Sequence, residues 1–391
     1  MKILHLIFIA LLLTIISCKP DEPVRANSLV SSVEMRNQSV DEIRKSAESI
    51  YGPLALMVNM MYAVSVRKII YHTTYKGKLM KASGVIFIPS DIKQPSNLLS
   101  IQHGTIFHQK EAPGNNIGTH YEYEMLASSG IIIFVPDYIG YGESSDYFHP
   151  YFDYHHSSGS VVDMLKAGVE LLYKENIKHT GKVVLTGYSE GGYVTLAAHK
   201  KLEESPINGI TVSASAAGAG GYDLLGVLNK SLLEKGDYPA PAYLAFVLMA
   251  YNHTYDWKRP LSDFFEKKWA LQLPAHMYGS HFGSTINSML TNKLEELFTP
   301  IFYKDLRGSG EIDLKAKLAE NSVHNWKPVA PVRLYHGTSD EIIPYATSVT
   351  TYNNFVKNGA DAELITIDNG THGSSFLPML LSVIDWLEDF E

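Results

Sequence analysis

Apolar positions change period several times along this chain, and each change marks an element. Val66 to Tyr75 and Ala82 to Pro89 are rich in Ile, Val, Tyr and Thr and predict two strands. A third run, Asn97 to Gln102, ends at His103-Gly104-Thr105. Ile131 to Pro136 is a solid apolar block, as expected of a central parallel strand covered on both faces, and it ends in Asp137-Tyr138-Ile139-Gly140-Tyr141-Gly142. From Ser158 to Asn176 the period lengthens, and Val161, Leu165, Val169 and Leu172 share one stripe of an amphipathic helix. Lys182 to Thr186 predicts a strand, followed directly by a helix to about Glu204 and a further strand from Gly209 to Ala217. Pro331 to Tyr335 and Glu363 to Ile367 predict two more strands, separated by a helix near Tyr345 to Asn358. A closing helix runs from about Ser374 to Phe390, with Trp386 and Leu387 on its apolar side. Residues 28 to 63 have mixed patterning and are expected to be helical, with Met57, Met60 and Met61 as packing residues.

Alternating strands and helices imply crossover connections and an α/β fold, a mostly parallel central sheet flanked by helices. The alternation stops between Gly221 and Trp326, where aromatic and helical patches such as Ala242 to Met249 predominate. This stretch predicts a mainly helical insertion entering after the sixth predicted strand, on the side of the sheet where active-site loops lie. The expected organisation is therefore a core in two parts, residues 28–220 and 328–391, with a helical cap at 221–327.

At 391 residues, 19% of them charged and 45% hydrophobic, the chain is globular rather than disordered. A net charge of −8 without a basic block argues against nucleic acid as a partner. At the N-terminus Lys2 precedes an apolar run, Ile3 to Ile16, that is short for a bilayer span and ordered like a secretory signal. Cys18 is the single cysteine, so no internal disulfide is possible. Its place after Ile15-Ile16-Ser17 resembles a bacterial lipobox. Residues 1–17 are expected to be a signal peptide, Cys18 the lipidated residue, and 18–27 a tether to the outer membrane, with the protein exposed at the cell surface.

The candidate chemistry centres on Gly187-Tyr188-Ser189-Glu190-Gly191. It reads G-x-S-x-G at a strand-to-helix junction, where a tight turn needs glycines and pushes the serine hydroxyl into a cleft. A helix-capping serine would not require both glycines. A serine hydroxyl attacks only when a base removes its proton, and the base needs a carboxylate to fix its tautomer. Asp340 and His372 follow Ser189 in the order Ser, acid, His, each in a loop just after a predicted strand and one helix plus one strand apart. Asp368 is a rival acid, though close in sequence to His372, and His336 reads as structural. The oxyanion hole needs two backbone N–H groups. They are expected from Glu190, whose carboxylate suits a helix N-terminus, and from Thr105, with Gly104 an alternative. Gly140-Tyr141-Gly142 lacks the third glycine of a dinucleotide loop, and His149, Asp153, His155 and His156 lack the spacing of a zinc-binding helix. No metal or organic cofactor is expected.

Gln102-His103-Gly104-Thr105, Pro136 to Gly142 and Gly187 to Gly192 are similar to the secretory lipase group of the α/β-hydrolase superfamily, the relatives of Candida lipase A, with the fold spanning about residues 65–391. The resemblance implies a carboxylic ester hydrolase with a helical cap between the sixth strand and the acid loop. Glu190 departs from the group, many of whose members carry a small or amide residue there. The expected substrate is a small-molecule, lipid or glycan-linked ester. A serine peptidase on the same fold and a non-catalytic ligand-binding surface lipoprotein are the rival readings.

Overall fold

The computed structural model describes residues 28–233, 237–387 and 390. Among the described residues, nine strands form one sheet in the order β1-β2-β3-β5-β4-β6-β7-β8-β9. These are β1 (Leu29–Gln38), β2 (Val64–Tyr75), β3 (Lys78–Pro89), β4 (Ser96–Gln102), β5 (Ile132–Pro136), β6 (His179–Tyr188), β7 (Thr211–Gly218), β8 (Val332–Gly337) and β9 (Ala362–Ile367). The pairs β1–β2, β2–β3 and β3–β5 are antiparallel, and every pairing from β5 to β9 is parallel. Helices pack on both faces, which is why β5 reads as uninterrupted apolar sequence and is buried throughout.

One face carries α3 (Tyr154–Lys174) and α4 (Glu190–Glu204), whose Val161, Leu165, Val194 and Leu196 are buried in the larger core. The other carries α1 (Val40–Tyr51), α2 (Tyr121–Ala127) and α13 (Phe376–Leu387), contributing Ile43, Met125 and Met379 to a second core. Between β7 and β8 lie α5 (Leu224–Val227), α6 (Pro241–Thr254), α7 (Lys267–His276), α8 (Gly283–Met289), α9 (Leu294–Leu297), α10 (Pro300–Arg307) and α11 (Ile312–Glu320). Of these, α6 is apolar nearly all round, and Phe246, Met249 and Tyr251 are buried. Helix α12 (Tyr345–Lys357) connects β8 to β9.

The N-terminal region departs from expectation. Residues 29–38 form β1 rather than helix and pair antiparallel with β2. This is an edge strand whose Val33 and Met35 face solvent, so its pattern carries little core signal. Among the described residues before 64, only α1 and the turn after it are helical. The β2–β3 hairpin closes on Lys76 and Gly77 with φ of 51° and 74°, the left-handed pair that a two-residue turn between twisted strands requires.

Parallel register sets the carboxyl ends of the central strands level. Gln102 pairs with Gly187, Tyr188 with Gly218, Gly218 with Tyr335, and Gly337 with Ile367. The order β5-β4-β6 reverses strand sequence at β4, which opens a crevice at those ends.

Candidate active site

Ser189 lies at that crevice, between β6 and α4, with φ 61° and ψ −122°. A non-glycine residue is held there only if its surroundings fix it. Backbone crowding does so. A Cβ on Gly187 would lie 2.4 Å from the Gly191 carbonyl oxygen, and one on Gly191 2.0 Å from that of Gln102. The Ser189 N–H also donates to the Gly218 carbonyl at 2.8 Å.

His372 and Asp340 reach Ser189 from the loops after β9 and β8. The Ser189 hydroxyl is 2.9 Å from His372 Nε2, and His372 Nδ1 is 2.7 Å from Asp340 Oδ2. A carboxylate only accepts, so Nδ1–H donates to Asp340, leaving the Nε2 lone pair for the serine proton. The Tyr188 hydroxyl donates to the His372 carbonyl at 2.6 Å, and the His372 N–H donates to the Glu341 carboxylate at 3.1 Å. Asp368, the alternative acid, is exposed, and the carboxylate at His372 Nδ1 is that of Asp340.

The Asp340 side chain is fully buried. Its Oδ1 accepts the N–H groups of Ile342 and Ile343 at 2.9 and 2.8 Å. His336 Nε2 approaches Oδ2 at 3.2 Å while donating to the Ile343 carbonyl at 2.9 Å, and its Nδ1 accepts from Ser348 Oγ at 2.6 Å. Burial pushes the Asp340 carboxyl up, but hydrogen bonds from His336 and His372 hold it well below the usual carboxylate range. His336, read from sequence as structural, is thus a direct support of the Asp340 carboxylate. Its spacing of four residues before Asp340 at the end of a strand was the available signal.

The loop after β4 packs against the elbow: a Cβ on Gly104 would lie 3.9 Å from Ser189 Cβ. Thr105 Oγ1 bonds the Tyr151 hydroxyl at 2.8 Å. His103 stacks on Tyr138 at 4.0 Å, and the Tyr138 hydroxyl donates to the His103 carbonyl at 3.1 Å. Glu190 opens α4, where the first N–H groups have no partner inside the helix. Its buried carboxylate does not face solvent at the helix end but meets His149 Nε2 at 2.7 Å. Sequence alone does not pair His149 with Glu190, because the two residues are far apart along the chain. Asp153, from the same loop, caps α3 and accepts from the Tyr255 hydroxyl at 2.6 Å. Cys18, the expected lipidation site, lies outside the described residues.

A narrow apolar cavity opens from Ser189 into the helical insertion. Its walls are Tyr151, Leu224, Tyr243, Leu244, Val247, Leu248 and Leu318, with few polar groups. Tyr243 lines it, whereas Phe246 and Tyr251 are core.

The rice cell wall degrading esterase LipA of Xanthomonas oryzae has the same fold, with a TM-score of 0.82 at 24% identity over 94% of this chain and 98% of that one. Candida antarctica lipase A aligns with a TM-score of 0.62 at 15% identity, covering 88% of this chain and 77% of its own. A secreted triacylglycerol lipase of Malassezia globosa is 34% identical over 67 residues, 17% of this chain and 15% of the relative's length. These likenesses agree with an α/β-hydrolase architecture. The sequence pattern of secretory lipases matches residues 109–390, which take in the elbow, the insertion and both later loops, and the chain belongs to the secretory lipase family.

Proposed function

We propose that this protein is a serine carboxylic ester hydrolase acting through an acyl-enzyme. The observation that carries the reading is the hydrogen-bonded sequence from Ser189 through His372 to Asp340 at the mouth of an apolar cavity. His372 Nε2 takes the Ser189 proton as the oxygen attacks the ester carbonyl, and Asp340 stabilises the imidazolium that forms. The N–H groups of Glu190 and of Thr105, or of its neighbour Gly104, receive the developing oxyanion. His372 returns its proton to the departing alcohol. Water, deprotonated by the same ring, then attacks the acyl-enzyme and releases the acid with Ser189 restored. Every step is proton transfer and acyl transfer, for which the side chains present suffice.

The cavity favours an ester with an aliphatic or other apolar acyl group, since burial contributes about 0.8 kcal/mol per methylene. Secretory lipase membership and the lipobox-like Ser17-Cys18 support export and anchoring through a lipidated Cys18. Cys18→Ser should move the protein from the membrane to the soluble fraction, and unchanged fractionation would remove the anchor.

The test is hydrolysis of a chain-length series of p-nitrophenyl esters, beside acetylated and feruloylated glycans and amino-acyl anilides. Ester turnover that disappears in Ser189→Ala, with fluorophosphonate labelling lost in parallel, is expected. Preference for anilides would favour a peptidase. An unlabelled, inactive wild type would favour a binding protein.

A further inference from the structure

Glu190 and His149 are both buried, at 1% and 4% exposure, and meet beside the proposed oxyanion hole. The ring's other nitrogen, Nδ1, lies 2.7 Å from the Ile139 carbonyl oxygen, which can only accept, so Nδ1 carries a hydrogen. Nε2 faces Glu190 Oε1 at 2.7 Å, and two lone pairs would repel at that distance, so a second proton lies in this contact. Glu190 sits in the first turn of α4, where the helix dipole favours an anion. That end of the helix favours the arrangement with the carboxylate anionic and the proton on the imidazole.

The titratable neighbours do not supply another positive charge. His103 faces the pair from the loop after β4, and burial pushes its ring toward the neutral form. Tyr138 and Tyr141 from the loop after β5, Tyr151 before α3 and Tyr243 on α6 feel the Glu190 charge, but burial is the main force raising their hydroxyls, which stay protonated. Among the described residues, the ion pair of Glu190 is with His149.

We propose that His149 is the counter-charge of the oxyanion hole, an imidazolium that cancels the Glu190 carboxylate so that the Glu190 amide can stabilise an oxyanion. The inference rests on the ester hydrolase reading above. An amide donor attached to an unpaired buried carboxylate would oppose the charge that develops on the substrate oxygen, and in a dry site such repulsion is strong. The pair also ties the α4 N-terminus to the Ile139 carbonyl and so to the loop after β5. His149 touches no reacting atom, and its role is positioning and charge compensation.

The experiment compares His149→Gln with the double variant His149→Gln/Glu190→Gln in kcat and KM on one p-nitrophenyl ester. The single variant should lose at least tenfold in kcat with KM changed less than about threefold. The double variant should regain most of that loss, because removing the stranded charge removes the repulsion. A double variant no faster than the single one, with both melting within a few degrees of wild type, overturns the proposal. Should wild type hydrolyse no ester, the function reading fails and protonation still decides this one. The imidazole ¹⁵N signals that vanish in His149→Gln should sit at imidazolium positions in the folded wild type at pH 7. A neutral ring at pH 7 overturns it.

Discussion

Asp340→Asn changes one atom and should remove nearly all turnover while leaving the fold in place. The Asp340 side chain receives two backbone N–H groups at Oδ1 and two histidine rings at Oδ2. In the asparagine, the carbonyl oxygen must stay with the amides of Ile342 and Ile343, because an NH2 there would face two donors. The NH2 then points at His372 Nδ1 and can bond it only if that nitrogen is unprotonated. The imidazole shifts to the Nε2–H tautomer, and Nε2 has no lone pair for the Ser189 proton. Loss of a correctly held base tautomer costs about 10⁴ in kcat in the Ser-His-Asp template, or about 5.4 kcal/mol of barrier. KM should barely move, since Asp340 is fully buried. Initial rates on a p-nitrophenyl ester, with melting curves as a folding control, give the answer. A well-folded Asp340→Asn within tenfold of wild type, or a more damaging Asp368→Asn, would refute the assignment of the acid. Stability provides a second reading. The folded pKa of Asp340 lies below its unfolded value, so its ionisation stabilises the fold fully above about pH 4 and progressively less as pH falls through the folded pKa. The variant should lose that acid-sensitive component.

Val247→Trp should fill part of the apolar cavity and shift the preferred ester to a shorter acyl chain, read as kcat/KM across the series; an unshifted optimum would mean the acyl group binds elsewhere. Gly191→Ala should abolish soluble expression or lower stability by roughly 3 kcal/mol, because its Cβ would press into the Gln102 carbonyl, and a normal melting curve would contradict the close packing of elbow and β4. Burial raises the Glu124 carboxyl to about 7 despite Arg36 at 3.3 Å, and among the described residues neither oxygen accepts a hydrogen bond. Ionising it in the fold therefore costs stability increasingly from about pH 4.5 to 7 and constantly above. Glu124→Gln should stabilise by roughly 1–3 kcal/mol at pH 8 and change little at pH 4, checked by urea melts at both.

The parts of the fold that could be read from sequence are those governed by a rule with a short period. β5 is legible because two covered faces leave no polar position, and α3 because its stripe repeats on one side. Ser189, Asp340 and His372 come from distant stretches of sequence, yet parallel strands stop level at one rim, so following a strand to its end suffices to bring them together. β1 escapes the same reasoning, since an edge strand with exposed Val33 and Met35 has no buried face to impose alternation. The supports of the site escape for a different reason. His336 reaches Asp340 through the fold of a single loop, and His149 reaches Glu190 because the chain after β5 doubles back over α4. Neither path has a period, and nothing at residue 190 alone distinguishes a carboxylate facing water at a helix end from one sealed against an imidazole. The difference is chemical as well as geometric: in water that charge would be screened, whereas buried beside an amide donor it needs a fixed partner. Sequence order therefore carries the candidate reacting groups further than it carries their electrostatics, which depend on what the loops enclose.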